Sequence, residues 1–130
     1  MVTATAQKTI LIVDDHEATT QMLRLALETD GYRVETARSG IKLLKTVREM
    51  RPDLILMDVM MPFVDGFDLT RAVRETPEGR TLPIFIISAR TENADIERGY
   101  EAGATEYFEK PIELRSLMIK IELAVQAARQ

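Results

Sequence analysis

The sequence predicts an α/β fold, a doubly wound five-stranded parallel sheet with helices on both faces. Two observations carry this. Five short strand-like segments alternate with helical patterns, and three of them, "TILIV" (9–13), "LILM" (54–57) and "IFII" (84–87), are continuous apolar runs. Alternation is what crossover helices between parallel strands require, and an unbroken apolar run marks a strand covered on both faces. At 130 residues, 45% hydrophobic and 29% charged, the chain is long enough for one compact core and too short for two.

In chain order, residues 1–7 ("MVTATAQ") are expected to be a flexible N-terminal segment and 8–130 the domain. Strand 9–13 is followed by a helix over 16–29. Strand 32–37 ("YRVETA") alternates polar and apolar residues, the sign of a wetter, edge position. A helix over 39–50 leads to strand 54–57, a helix over 65–75 to strand 84–87, and a helix over 92–101 to strand 105–109. That last strand, "TEYFE", sets Glu106 and Glu109 around Tyr107 and Phe108, again an edge pattern. The closing helix, 112–128, repeats Leu114, Leu117, Met118, Ile121, Val125 and Ala128 at three- and four-residue steps, a stripe made to lie on a sheet. With the second and fifth strands outermost and right-handed crossovers, the strand order is 2-1-3-4-5. Winding then reverses between the first and third strands, and open α/β sheets bind ligands in that crevice, outside the carboxyl ends of the strands.

Composition excludes several functions. Without cysteine there are no disulfides, thiolate zinc sites or thiol nucleophiles, and a cytoplasmic location is the expectation. A net charge of −4 and a pI near 5.1, with no basic stripe, argue against nucleic-acid binding. No apolar run approaches the ~20 residues of a membrane span, and the first residues lack a secretory pattern.

The crevice collects charge. Asp14 and Asp15 end the first strand and Asp58 ends the third. Singly, Asp14 or Asp15 reads as an N-cap for the first helix, and Asp58 as a turn acid. Together, three carboxylates repel and raise one another's pKa unless a cation is shared. Mg2+ suits such a set, since it uses one or two carboxylates and leaves room for phosphate oxygens. Lys110, after the fifth strand, and Ser88, after the fourth, add an ammonium and a hydroxyl at the same end of the sheet. Each alone reads as an ordinary exposed residue; assembled with the acids they are the equipment of phosphoryl transfer.

The pieces "ILIVDD", "DLILMDVMMPFVDG", "PIFIISA" and "EAGATEYFEKP", with the closing amphipathic helix, resemble in order and spacing the receiver domain of two-component response regulators, single-domain chemotaxis regulators among them. The resemblance implies a flavodoxin-like (βα)5 fold and a signalling switch rather than an enzyme in the ordinary sense. It implies Asp58 as phosphoacceptor from a histidine kinase, a phosphotransfer protein or a small acyl phosphate. It implies Mg2+ held by Asp15, Asp58 and the Met60 backbone carbonyl, with Asp14 acting through a water. Lys110 would pair with a phosphoryl oxygen, Ser88 would move inward to bond another, and Tyr107 would rotate toward the space vacated. The Lys110–Pro111 bond is expected to be cis. Met60 and Arg90 should border the site and slow loss of the phosphoryl group.

Partners follow from the same resemblance. The phosphodonor would dock near the first helix, around Thr19 and Thr20. A downstream protein would bind the face of the fourth helix, fifth strand and fifth helix, including Glu92, Glu106, Glu109, Glu113 and Lys120, which otherwise read as solvated charges. His16 reads as a partly exposed helical residue rather than a ligand, and Gly66 as a turn former. The receiver could belong to a larger DNA-binding regulator or hybrid kinase. The competing class is a phosphohydrolase of the haloacid-dehalogenase type, but that pattern resembles D-x-D after the first strand, whereas adjacent acids stand here.

Overall fold

A computed structural model describes residues 7–40, 42–61 and 64–127. In chain order its elements are β1 (Thr9–Val13), α1 (Glu17–Thr29), β2 (Arg33–Ala37), α2 (Leu43–Met50), β3 (Leu54–Asp58), β4 (Met60–Met61), β5 (Val64–Asp65), α3 (Gly66–Arg74), β6 (Ile84–Ser88), α4 (Asn93–Ala102), β7 (Glu106–Glu109) and α5 (Leu114–Ala127). Five strands form one parallel sheet in the order β2-β1-β3-β6-β7, which is the doubly wound arrangement read from the sequence. The antiparallel pair β4-β5 is an addition that the sequence pattern does not show, since two-residue strands carry no periodicity.

Alternation along the central strands divides the core in two. Leu11 and Val13, Ile55 and Met57, and Ile84 and Ile86 face one side, where Leu43, Val47, Phe67 and Val73 from α2 and α3 cover them. Ile10 and Ile12, Leu54 and Leu56, and Phe85 and Ile87 face the other, under Leu23 and Leu27 of α1 and Leu117, Ile121 and Val125 of α5. Nearly every one of these side chains is excluded from solvent, so apolar runs rather than alternating patterns are what β1, β3 and β6 need. The edge strand β2 keeps only Val34 buried.

The register sets the carboxyl ends side by side. Val13 lies opposite Met57, Asp58 opposite Ile87, and Ser88 opposite Glu109. The first residues beyond β1 and β7 and the last residues of β3 and β6 therefore share one rim. The Lys110–Pro111 peptide bond is cis, as expected. Of the expected N-terminal segment, residues 1–6 lie outside the described residues, and Gln7 donates its side-chain amide to the Gly31 carbonyl at 3.1 Å. Residue 128, the last expected in the closing helix, also lies outside them. Among the described residues no helix is long and apolar enough to cross a membrane.

Candidate functional site

At the rim, Asp14 continues the ladder beyond β1 by donating its N–H to the Ala37 carbonyl at 3.1 Å. The reading of Asp14 or Asp15 as the N-cap of the first helix is not what the structure shows. His16 occupies the cap position in extended conformation (φ −86°, ψ 107°) and makes no side-chain cap bond. Asp14 instead accepts the His16 N–H at 2.7 Å on Oδ1, a short local turn of the kind aspartate favours. Asp58 does the same at the end of β3, accepting the Met60 N–H at 3.1 Å on Oδ1.

Those local bonds occupy one oxygen each and leave the rest of the cluster unbalanced. Asp58 is 3% exposed and Asp14 5%, yet Asp58 Oδ2 and Asp15 Oδ1 are buried without a hydrogen-bond partner. A buried, unbonded carboxylate oxygen is costly. Burial is accordingly the main reason the Asp58 carboxyl titrates above the usual range. The Met60 N–H opposes the shift, the charge of Asp14 adds to it, and Lys110 and His16 reduce it. The Lys110 ammonium stands 3.7 Å from Asp58 Oδ2, too far for a good hydrogen bond but close enough to stabilise charge. The donor set fits a hard divalent ion. Three carboxylates meet, two of them with free buried oxygens, and one cation would satisfy both at once.

Lys110 is placed by the backbone, its N–H donating to the Ser88 carbonyl at 2.9 Å. Ser88 is fully buried, and its hydroxyl accepts the Arg90 N–H at 3.0 Å. Tyr107 reaches the same loop from β7, its hydroxyl donating to the Arg90 carbonyl at 2.7 Å. Burial raises the Tyr107 phenol pKa, opposed by a hydrogen bond with Ser88. The ring lies against α4 at Gly99, where an added Cβ would come within 2.8 Å of it. Met60 and Arg90 both line the cleft that also contains Asp15, Asp58 and Lys110, although the Arg90 guanidinium pairs outward with Asp95 at 3.9 Å.

Two readings need correction. Gly66 is the first residue of α3 rather than part of a turn, and it is not among the described glycines with positive φ, Gly31 and Gly103. Its need for hydrogen in place of Cβ is steric. A Cβ there would lie 2.6 Å from the Asp58 carbonyl oxygen and from Val59 Cα, so glycine lets α3 close on the backbone that carries Asp58. His16, exposed as expected, stands at the N-cap of α1 rather than within the helix. Its Nδ1 lies 3.2 Å from Asp14 Oδ1, 3.3 Å from Asp15 Oδ1 and 3.5 Å from Asp58 Oδ2, and the four residues form the metal-competent cluster of the rim. The available signal was its position: the sole histidine of the chain stands directly after the two acids.

The residues expected to meet partners are spread over two faces. Thr20 of α1 turns its hydroxyl back onto the His16 carbonyl at 2.9 Å, beside half-buried Thr19. Glu92 caps the start of α4 without a side-chain bond. Glu106 and Lys120 pair at 3.8 Å between β7 and α5, and Glu109 is exposed. Glu113 accepts the Ser116 N–H at 2.6 Å, which pulls its carboxyl below the usual range.

Comparison with known proteins gives one answer. The sequence model of the response regulator receiver domain matches residues 10–122. The transcriptional regulatory protein AfsQ1 of Streptomyces coelicolor is 41% identical over 90% of this chain and 51% of its own length. The response regulator MprA of Mycobacterium leprae is 38% identical over 92% and 52%. The chain thus spans about half the length of the curated relatives it matches. Among solved structures, a response regulator from Chloroflexus aurantiacus, itself described as putative, superposes with a TM-score of 0.87 at 36% identity, covering 92% of this chain and 98% of that one. The receiver domain of the Pseudomonas aeruginosa sensor histidine kinase PA1611, solved with a magnesium ion in its active-site cleft, superposes with a TM-score of 0.85 at 30% identity, covering 93% and 99%.

Proposed function

The chain belongs to the response regulator receiver domain family of two-component signalling, and from that premise we propose that it is a phosphoacceptor switch operated at Asp58. One observation carries the reading. Asp58 Oδ2 is buried at the rim without a hydrogen bond, 3.7 Å from the Lys110 ammonium, so one nucleophilic oxygen is held free where an incoming phosphoryl group would find a cation. In this reading Asp15, Asp58 and the Met60 carbonyl hold Mg2+, with Asp14 supporting them. The ion, when bound, offsets the charge of the acids and of the phosphoryl group.

The chain's own residues then do the following. Asp58 Oδ2 attacks the phosphorus of a phosphohistidine or acyl phosphate; the new O–P bond forms as the P–N or P–O bond of the donor breaks, and the electron pair leaves with the donor. Lys110 pairs with one phosphoryl oxygen and the Ser88 hydroxyl turns to another. Leaving Arg90, that hydroxyl vacates the space toward which Tyr107 rotates once it gives up its bond to the Arg90 carbonyl. The receiver family consists of phosphoacceptor signalling domains rather than classical enzymes, and assistance to phosphoryl gain and loss belongs to this proposal. Domain limits of 8–130, a cytoplasmic setting, a donor docking beside α1 and a downstream protein on the α4-β7-α5 face complete it. A receiver unit within a longer regulator is the companion reading, favoured by curated relatives about twice as long.

Incubation with Mg2+ and acetyl phosphate, read by intact mass, tests the switch. A stoichiometric gain of one phosphoryl group that disappears in Asp58→Asn is expected. Continuous turnover of phosphate esters would show a hydrolase instead, and an unchanged mass an inert module. Met60 and Arg90 border the attacked face, so Met60→Asn combined with Arg90→Glu should speed loss of the phosphoryl group by roughly tenfold, a small share of the barrier. An unchanged decay rate would remove them from that role.

A further inference from the structure

We infer that the outer face of α1 and α5 is a surface on which two copies of this chain associate, α5 lying antiparallel on α5 about a two-fold axis between Met118 and Ile119. Apolar exposure marks the face. Seven large apolar side chains are exposed among the described residues, and four of them, Met22 at 44%, Leu25 at 70%, Ile119 at 52% and Leu123 at 58%, stand on these two helices. The other three, Leu44, Met60 and Tyr100, are scattered over α2, β4 and α4. Between α1 and α5 runs a groove lined by Ala26 and Asp30 on one side and by Arg115, Met118, Ile119 and Glu122 on the other. The groove joins the two helices into one surface, and an apolar patch with a charged border is the pattern of a protein contact.

Charge names the occupant. Leu117, Ile121 and Val125 turn α5 onto the sheet, so Arg115, Ile119, Glu122 and Gln126, at three- and four-residue steps, share the side facing solvent. Among the described residues neither Arg115 nor Glu122 forms a salt bridge. Each lies about 5 Å along the helix from the midpoint between them. An antiparallel copy centred there sets Arg115 against Glu122 of the second copy, and Glu122 against Arg115 of the second copy, while Met118 and Ile119 meet across the axis. A two-fold contact is self-complementary in this way, and displacement by one turn in either direction loses both pairs. The charges fix register, and the apolar side chains supply the affinity. Two helices of about 20 Å by 10 Å present roughly 400 Å2 per copy, about half a standard interface, so the dimer is weak and dissociates readily. None of the rim residues takes part, and the association stands or falls independently of phosphoryl transfer.

Sedimentation velocity on the full chain tests this, from ~10 μM to ~1 mM and at low salt so that the charges are not screened. Expected in wild type is a reversible equilibrium between monomer and dimer with a Kd on the order of 100 μM. Arg115→Glu alone and Glu122→Arg alone should each weaken it at least about tenfold, because like charges then face each other twice. An equimolar mixture of the two variants should restore association, since each mixed dimer again pairs opposite charges at both ends. Wild-type protein that stays monomeric at ~1 mM overturns the proposal. So does association that neither reversal weakens, which would put the contact on another face, and so does a mixture that behaves like its separate components.

Discussion

Asp58 is held in its pocket against its own preference for water. Burial raises its pKa and the neighbouring charge of Asp14 raises it further, so at neutral pH the ionised side chain works against folding. Replacing it by asparagine removes the charge and keeps the shape. Asp58→Asn should therefore stabilise the metal-free protein by about 1 kcal/mol, or about 4 °C in melting temperature for a chain of this size; a lower melting temperature by calorimetry would show that Lys110 and His16 already compensate the carboxylate. At this scale the sequence was partly legible. Asp14, Asp15, Asp58, Ser88 and Lys110 could be placed on one rim because each sits at a strand's carboxyl end. His16 could not, because the sequence does not tell whether it begins the first helix or caps it, and it caps it in extended conformation. Gly66 was visible as a glycine but not as a close approach, since the partner backbone lies at Asp58 and Val59.

Helix α3 shows how one side chain can tie several elements together. Arg74, at its end, donates Nε–H to the Gly103 carbonyl at 2.8 Å, other guanidinium N–H groups to the carbonyls of Gly79 and Leu82, and one to Thr105 Oγ1 at 3.2 Å. It joins α3 to the segments entering β6 and β7, at the end of the sheet opposite the pocket. Its guanidinium is buried enough to lower its pKa, so the carbonyls it serves would lose their partner in a partly shielded place. Arg74→Ala should cost about 2–4 kcal/mol in urea unfolding, and Arg74→Lys should recover little, because an ammonium cannot span a fork of acceptors. Full stability of the lysine variant would contradict this. The five helices and five principal strands were legible because each needed a periodic apolar face against a two-sided sheet. What the pattern concealed were contacts of this kind, made by one polar side chain between elements distant in sequence, and the β4-β5 pair, too short to have a period.

Seen as one molecule, sheet and pocket are coupled, because the strand register sets Asp14, Asp58, Ser88 and Lys110 along one rim. Magnesium that binds the folded acids and not the unfolded chain should raise stability by about 2.7 kcal/mol at a hundredfold excess over its Kd. The gain should vanish on chelation and be largely absent in Asp15→Asn; a melting temperature indifferent to Mg2+ in wild type would place the ion elsewhere. The strand order was legible at this scale because burial on both faces marks the central strands and mixed patterns mark the edges. Lys110 follows β7, the last strand to be made and an outer one. A nascent chain on the ribosome therefore presents its three acids before Lys110, and if Lys110 has the role proposed for it, a product truncated ahead of residue 110 should gain no phosphoryl group from acetyl phosphate, however much of its sheet had formed.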